Sequence, residues 1–134
     1  MKALMALQYP ITHLDLIRYA GASGDFNELH VITEKAKEQG YEAVVAHGMY
    51  VMGLFSNALY QWFPHAKVTA MKVRFQAPTY PAEMLTITGQ YIEQAELVQG
   101  DVQMKNEDGQ LKLVGSFEIE KGGKLDANGD NEFR

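Results

Sequence analysis

The sequence contains no cysteine, and its 134 residues include only 4 prolines and 1 tryptophan. Without a thiol the chain has no disulfide, no thiolate metal ligand and no thiol nucleophile. It also lacks a block of positive charge, since its formal net charge is −5 and its sequence pI is about 5.3. The composition therefore favours neither nucleic acid nor an anionic membrane surface as a partner. The lack of cysteine is compatible with the cytoplasm, where we expect the protein.

An apolar run long enough to cross a membrane is also missing. The longest apolar stretch, residues 48–63, is interrupted by Ser56, Asn57 and Gln61, whereas a spanning helix needs about 20 mostly apolar residues. The N-terminal apolar run, residues 3–7, is too short for the core of a signal peptide. We therefore expect the stretch at 48–63 to be buried in protein.

What remains is the composition of an ordinary globular domain, with 46% hydrophobic and 22% charged residues. A chain of this length can bury a single core. We expect residues 1–121 to form one domain. Residues 122–134 are rich in Gly, Asn and Asp, which predicts a flexible tail.

The N-terminal part favours a short strand over residues 3–8, followed by a helix. Thr12, with Asp15 three positions later, is typical of a helix N-cap. We expect this helix to end near Gly21. Its predicted buried stripe is Leu14, Ile17 and either Tyr19 or Ala20.

A second short helix is predicted over residues 33–39, with Thr33 as its N-cap and Gly40 as its stop. The stretch at 48–63 differs from it, because a helix drawn there has almost no polar face. A helix that is apolar nearly all round must be enclosed. We expect the rest of the chain to wrap around it, with Pro64 at its end.

From residue 67 onward the apolar residues recur at every second position, which predicts four strands. Residues 106–109 supply the turn of a hairpin, and the prolines within 77–81 separate the first strand from the second. The last strand is expected to turn Lys112 towards solvent. With the N-terminal strand, a curled antiparallel sheet of about five strands surrounds a central apolar helix. This is the hotdog arrangement, an α+β fold, and its uncovered edges predict a dimer.

Two polar clusters lie between these apolar segments. The first sets Asp25, Asn27 and His30 in one loop, and the second, residues 46–48, begins the apolar helix with Ala-His-Gly. The first N–H groups of a helix have no intrahelical partner, and the helix dipole favours negative charge there. A carboxylate, an imidazole and such a helix start, if brought together, suit proton transfer next to a polarised carbonyl.

The octapeptide at 23–30, S-G-D-F-N-E-L-H, resembles the hydratase-2 motif of the MaoC-like, or (R)-specific enoyl-CoA hydratase, family. The A-H-G-M at 46–49 and the V-R-F-Q-A-P at 73–78 are similar to two further segments of that family, in the same order. The resemblance covers about residues 16–88. It implies a hotdog fold, usually dimeric, that adds water to trans-2-enoyl thioesters of CoA or acyl carrier protein, or performs the reverse dehydration.

The resemblance also implies a role for each site residue. Asp25 and His30 would activate the water and return a proton, and the Gly48 N–H would hold the thioester oxygen. Ser56 stands where the family often has a small hydroxyl residue that orients the catalytic Asp. Asn27 and Ser23 would hold the loop or a substrate group. Neither a metal nor a cofactor is implied.

Several of these residues have a second interpretation. Asp25 and Asn27 also suit a turn in which side chains cap the backbone. His47 either shapes the turn before the helix or adds a second catalytic imidazole. Ser56 either orients Asp25 or bonds to the preceding helical turn.

Three positions depart from the family pattern. Glu28 stands where the family usually has proline, so the loop loses a fixed φ and gains a charge. Residues 31–33 lack the acidic residue often found after the motif His, and Ala82-Glu83 replaces the common Gly-Asp. None of these changes removes a proposed reacting group.

The leading interpretation is therefore a hydratase or dehydratase of fatty-acid metabolism, with an acyl-CoA or acyl-carrier-protein thioester as its substrate. We expect a homodimer, with a higher homo-oligomer or a heterodimer as alternatives. Two other functions stay open: a hotdog acyl-CoA thioesterase, and a non-catalytic acyl-thioester-binding or partner subunit of a heterodimeric dehydratase.

Overall fold

A computed structural model describes residues 1–121 and shows one antiparallel sheet curved around one helix. The tail predicted at 122–134 lies outside the described residues. The elements in chain order are β1 (Lys2–Ala3), β2 (Leu7–Pro10), α1 (His13–Ser23), a 3-10 turn (Glu28–His30), α2 (Thr33–Glu38), α3 (Gly48–Trp62), β3 (Lys67–Phe75), β4 (Met84–Gln94), β5 (Leu97–Lys105) and β6 (Leu111–Glu120).

The sheet has the order β1-β4-β5-β6-β3, with β2 also paired to β4. Strands β4, β5 and β6 form a meander, and the chain crosses the sheet between β3 and β4. The predicted hairpin turn is confirmed, since the Asn106 N–H donates to the Gln110 carbonyl at 3.0 Å and Gly109 adopts φ 80°. The sheet has six strands rather than about five, because the N-terminal strand is divided into two pieces that both pair with β4.

The inner face of the sheet packs against α3, as the hotdog arrangement predicts. Val51, Phe55, Ala58 and Leu59 of α3 are buried. The Phe55 ring meets the edge of Phe117 with 6.4 Å between ring centroids. A side chain on Gly115 would place its Cβ only 2.9 Å from the Phe55 ring. The helix can therefore sit close to β6 only because this position is glycine.

The expectation that α3 is enclosed all round is wrong for the described chain. Met49 and Tyr60 on the face away from the sheet are 64% and 67% exposed. A single sheet covers only one side of a helix, so the opposite side stays open however apolar its residues are.

The predicted buried stripe of α1 is also partly wrong. Leu16 and Ala20 are buried, whereas Leu14 and Ile17 are about half exposed. Leu16 and Ala20 are four positions apart and share one face of the helix, while Leu14 lies roughly 200° around the axis from Leu16. Two apolar stripes were thus available, and only tertiary packing selected one.

The predicted helix ends are correct in kind but displaced. The Thr12 cap is confirmed, because its Oγ1 accepts from the Asp15 N–H at 3.1 Å. However, α1 continues past Gly21 to Ser23, and its C-cap is Gly24, which adopts φ 78°. Thr33 is wrong as a cap, since it is the first residue of α2 and the capping position belongs to Ile32.

Lys112 does not face solvent as predicted, because it is only 1% exposed. The connection between β3 and β4 folds over this end of β6 and supplies its partners. The Lys112 ammonium donates to the Pro78 carbonyl at 2.6 Å and lies 3.0 Å from the Glu83 carboxylate. A buried charge needs such partners, and they come from residues that alternation along β6 cannot reveal.

None of the helices among the described residues combines the length and the apolarity needed to cross a membrane.

The packing of α3 on β6 gives a stability prediction. Replacing Phe55 with Ala should lower the free energy of unfolding by about 3–5 kcal/mol, because a cavity is left beside Gly115 and Phe117. The measurement is urea unfolding. Gln61→Ala on the exposed side of the same helix is the control, with an expected change within about 0.5 kcal/mol. Equal effects of the two substitutions would contradict the described packing.

Candidate active site

A loop tied by its own side chains carries the first polar cluster. The Ser23 hydroxyl accepts from the Asp25 N–H at 3.1 Å, and Asp25 Oδ1 accepts from the Asn27 N–H at 3.2 Å. Asn27 Oδ1 then accepts from the Leu29 N–H at 3.3 Å and caps the 3-10 turn. Each side chain thus holds the N–H two residues later. Ser23 and Asn27 therefore shape the loop.

Asp25 combines a turn-forming role with a second contact. One carboxylate oxygen caps the Asn27 N–H, and the other, Oδ2, faces His30 Nε2 at 3.9 Å. This distance is too long for a direct hydrogen bond. The two atoms would subtend an angle of about 90° at a water oxygen placed about 2.8 Å from each of them. The Asp25 side chain is 51% exposed and that of His30 is 13% exposed, so water can reach the pair from one side.

A backbone carbonyl fixes the orientation of His30. Its Nδ1 lies 2.6 Å from the Val45 carbonyl oxygen. Because a carbonyl only accepts, Nδ1 must carry the proton, and Nε2 of the neutral ring is left as an acceptor facing Asp25. The geometry therefore assigns the tautomer that can take a proton from water.

His47 connects this loop to the start of α3. It is 1% exposed, its Nε2–H donates to the Asp25 carbonyl at 3.0 Å, and its ring stacks on His30 with 4.0 Å between centroids. The Tyr19 ring packs edge-on against His47 at 4.8 Å. The predicted turn-shaping role matches this position, since His47 anchors the backbone of Asp25. Its Nδ1 has no hydrogen-bond partner within residues 1–121.

The ligand atoms of Asp25, His30 and His47 lie within 4.8 Å of one another, which raises the question of a metal. The two imidazole planes are only 22° apart and stacked. Lone pairs in the planes of stacked rings run side by side and do not converge on one point, as a tetrahedral ion would require. The three residues therefore suit a positioned water better than a metal ion.

Gly48 is the first residue of α3, with His47 as the N-cap. The helical hydrogen bonds begin with the Tyr50 and Val51 N–H groups, which both donate to the His47 carbonyl at 3.0 and 3.2 Å. Helix geometry leaves the Gly48 N–H without an intrahelical acceptor. A Cβ at Gly48 would lie 3.4 Å from the Phe75 ring, an ordinary van der Waals contact.

A cavity of about 340 Å³ opens beside Gly48. Its wall includes Val45, Gly48, Val51, Phe75, Pro78 and Thr79. Neither Asp25 nor His30 lines it. Val45 joins the two regions, since it lines the cavity while its carbonyl holds His30. Two larger concavities, of about 420 and 820 Å³, lie over the central strands and include none of the predicted site residues.

The segment Val45–Ala46 is hydrogen-bonded on both sides. The Val45 N–H donates to the Leu29 carbonyl at 2.9 Å, and the Ala46 N–H donates to the Thr79 carbonyl at 2.8 Å. Sequence reasoning missed Val45 and Thr79, because both act through backbone carbonyls that any side chain could accompany. The apolar character of Val45 and the nearby prolines give no signal of this role.

Ser56 is the predicted site residue that the structure does not bring to the others. It is exposed on α3, and within the described part of the chain it makes no hydrogen bond to Asp25. Asp25 is held instead by the Asn27 N–H and, through its carbonyl, by His47.

Nearby, burial raises the pKa of the Tyr50 hydroxyl, and the negative charge of Asp15 raises it further. Tyr50 therefore stays protonated, with its ring packed against Tyr19 at 5.5 Å.

Two of the three departures from the family pattern, at Glu28 and at Ala82-Glu83, have different structural consequences. Glu28 begins the 3-10 turn and is exposed, so its charge is accessible to solvent. Ala82 adopts φ 72°, a conformation that favours the glycine usual at this position. Glu83 keeps the acceptor role of a carboxylate, since its Oε1 accepts from the Tyr80 N–H at 2.6 Å.

The profile of the MaoC like domain family matches residues 1–110. A mitochondrial 3-hydroxyacyl-[acyl-carrier-protein] dehydratase of Arabidopsis thaliana is 35% identical over 66 residues, which are 49% of this chain and 40% of that protein. The chain thus spans less than half the length of this relative.

Solved structures share the fold. The unliganded R-hydratase PhaJ1 of Pseudomonas aeruginosa is 23% identical with a TM-score of 0.82, over 90% of this chain and 80% of that one. The ChsH1-ChsH2 complex of Mycobacterium tuberculosis contains a chain with 21% identity and a TM-score of 0.82, over 89% of this chain and 94% of that one.

The position of Glu28 gives a prediction about the loop. Glu28 is the first residue of the 3-10 turn, where proline is well tolerated, and Asn27 before it adopts ψ 127°, as a residue preceding proline requires. Glu28→Pro should therefore raise the free energy of unfolding by about 0.4–1 kcal/mol, because it restricts the unfolded chain.

Urea unfolding measures this change, with Glu38→Pro as the matched control. Glu38 is the last residue of α2, where proline removes a helical N–H and should destabilise. If Glu28→Pro destabilises the protein, the loop needs either the Glu28 N–H or a φ at residue 28 that proline cannot adopt.

Proposed function

Because the chain belongs to the MaoC like domain family, we propose that it catalyses the (R)-specific hydration of trans-2-enoyl thioesters to (R)-3-hydroxyacyl thioesters, or the reverse dehydration. The observation that carries this proposal is the 3.9 Å separation of Asp25 Oδ2 and His30 Nε2 on a loop tied to the start of α3. Two acceptors at this distance hold one water, and the nearby helix start offers a free N–H to a carbonyl.

The proposed reaction divides the work between these groups. The water donates its hydrogens to Asp25 Oδ2 and His30 Nε2. As its oxygen bonds to C3 of the substrate, the Asp25–His30 pair takes one proton, and a proton is returned to C2. One water is added in total, with no change of oxidation state in the protein. Dehydration is the same sequence reversed.

The Gly48 N–H serves the third requirement, which is a donor for the thioester oxygen. Negative charge develops on this oxygen while C3 is attacked, so a fixed donor stabilises the transition state more than the substrate. The helix start adds the favourable end of its dipole. The cavity beside Gly48 would hold part of the acyl thioester, delivered on CoA or on acyl carrier protein.

A thioesterase is the weaker alternative. Hotdog thioesterases usually use a carboxylate on the central helix, and α3 contains neither Asp nor Glu. Release of free CoA, followed with a thiol reagent, separates the two activities.

We further propose that residues 1–121 are the catalytic domain and that it works as a homodimer in the cytoplasm. β3 lies at the edge of the sheet and exposes Val68 and Phe75, so a second copy has an edge to pair with. A heterodimer is the other candidate, because one structural neighbour is a complex of two proteins. The presence of both Asp25 and His30 in one chain favours the homodimer. Light scattering of the purified protein, alone and with a second hotdog protein, distinguishes them.

The dyad gives the first kinetic prediction. Asp25→Asn and His30→Ala should each lower kcat for a short trans-2-enoyl-CoA by about 10²-fold or more, because each removes a group that holds or takes the proton of water. Loss of absorbance of the conjugated thioester measures the rate, and chiral analysis of the product tests (R) selectivity.

Asp101→Asn and His65→Asn are the controls, since both residues are exposed and lie outside the site, and asparagine tolerates the positive φ of His65. Wild-type protein that hydrates no faster than the Asp25→Asn, His30→Ala double variant would disprove the proposed function.

The oxyanion role of Gly48 gives a second prediction. Proline at the first position of a helix keeps the helix but has no N–H, and His47 adopts ψ 136°, which suits a residue before proline. Gly48→Pro should therefore lower kcat by about 10²–10³-fold.

Gly48→Ala is the control for bulk, since it adds a methyl beside Phe75 but keeps the N–H. Its kcat should lie well above that of Gly48→Pro. Equal losses in the two variants would mean that space, and not the donor, is what Gly48 provides.

A further inference from the structure

We propose that the buried pair Lys112–Glu83 is a positioning device for the Gly48 N–H, acting through the backbone of Pro78, Thr79 and Ala46. This inference rests on the proposed function, because it gives the Gly48 N–H the task of holding the thioester oxygen. Lys112 and Glu83 do not line the cavity and are distant in sequence from the polar clusters that suggested the site.

Lys112 makes three contacts with the connection between β3 and β4. Its ammonium donates to the Pro78 carbonyl at 2.6 Å, lies 3.0 Å from Glu83 Oε2, and stands 5.6 Å from the centroid of the Tyr80 ring. Its own carbonyl accepts from the Gln76 N–H at 2.9 Å. Both ends of this one residue therefore hold the same connection.

Glu83 makes further hydrogen bonds within this connection and to neighbouring segments. Its Oε1 accepts from the Tyr80 N–H at 2.6 Å, and its Oε2 accepts from the Asn106 side chain at 2.6 Å as well as facing Lys112. The Glu83 carbonyl accepts from the Ile11 N–H at 2.9 Å. The carboxylate is thus satisfied on both oxygens, as a buried charge requires.

The connection is hydrogen-bonded to the segment that leads into Gly48, the proposed oxyanion donor. Thr79 follows the Pro78 that Lys112 holds, is 4% exposed, and accepts from the Ala46 N–H at 2.8 Å. Two residues after Ala46 comes Gly48. Pro78, Thr79 and Gly48 also share the wall of the 340 Å³ cavity. A shift of the Pro78 carbonyl would therefore move both the cavity wall and the start of α3.

The ionic nature of the pair supports a positioning role. Replacing a buried ion pair by apolar groups of similar volume is often neutral or stabilising, so such a pair is weak evidence for stability alone. The charges fix the orientation of these groups, because the ammonium must point at the Pro78 carbonyl and the Glu83 carboxylate together. An apolar side chain would fill the space without fixing that carbonyl.

The test compares two ion pairs. One includes Lys112 of β6, and the other includes Lys121, the residue after β6. Lys112→Met with Glu83→Gln removes both charges of the proposed device. Lys121→Met with Glu93→Gln is the control, because it makes the same chemical changes in a more exposed pair, with Lys121 2.9 Å from Glu93 at the opposite end of β6. Both proteins are assayed for kcat and KM, and the glycine amides are followed in protein labelled with ¹⁵N-glycine. The Gly48 resonance is the one missing from Gly48→Ala.

The Lys112 and Glu83 variant should show a displaced Gly48 amide resonance and a kcat lowered by about 10- to 100-fold with KM within about twofold, because misplacing a donor weakens the transition state more than the substrate. The control pair should change neither. A lower melting temperature with unchanged Gly48 resonance or unchanged kcat would overturn the proposal, as would equal effects of the two pairs.

Two safeguards keep the test decisive. If the double variant does not fold, Glu83→Gln alone is measured, and the Gly48 resonance must still move. If wild-type protein shows no hydration, the proposed function fails, but the Gly48 resonance still decides whether the pair positions the helix start. An unmoved resonance then rejects the positioning role separately.

Discussion

Hydrogen bonds on both sides of the segment Val45–Ala46 determine how the site is assembled. On one side Val45 bonds to the Leu29 carbonyl and holds the His30 ring, and on the other Ala46 bonds to Thr79. The segment is followed at once by the start of α3. Three parts of the chain that are far apart in sequence therefore meet through backbone groups, and this backbone frame fixes the positions of the side chains.

The packing of α3 gives the frame its rigidity. The helix buries Phe55 against β6 at a glycine, and close-packed interiors do not shift continuously. Where α3 starts, and where the Gly48 N–H points, is consequently set by contacts up to two turns further along. His47 then links the start of α3 to the loop, because its buried ring bonds to the Asp25 carbonyl and stacks on His30. Asp25 and His30 are thus aligned by the same core that holds the helix.

Local sequence features predicted much of this arrangement. The period of two after residue 67, the Asn106 to Gly109 turn and the apolar helix from Gly48 were sufficient for the fold. The spacing of Asp25 and His30 was sufficient to place both in one loop. The errors arose where one chain segment offers two equivalent faces, as α1 does, or where a distant segment covers a residue. Lys112 looked like a solvent-facing strand residue because its partners, Pro78 and Glu83, lie about thirty positions away.

By itself the sequence determined which groups are available: one carboxylate and one imidazole in a short loop, a glycine at a helix start, and an apolar helix that needs a sheet. These are properties of neighbouring residues, and propensity, capping and periodicity act over that range. Only the tertiary structure decided the 3.9 Å separation of Asp25 and His30, the tautomer imposed by Val45, the exposure of Ser56 and the burial of Lys112. Each depends on which distant backbone group comes within hydrogen-bond reach, and that is fixed only when the whole core packs.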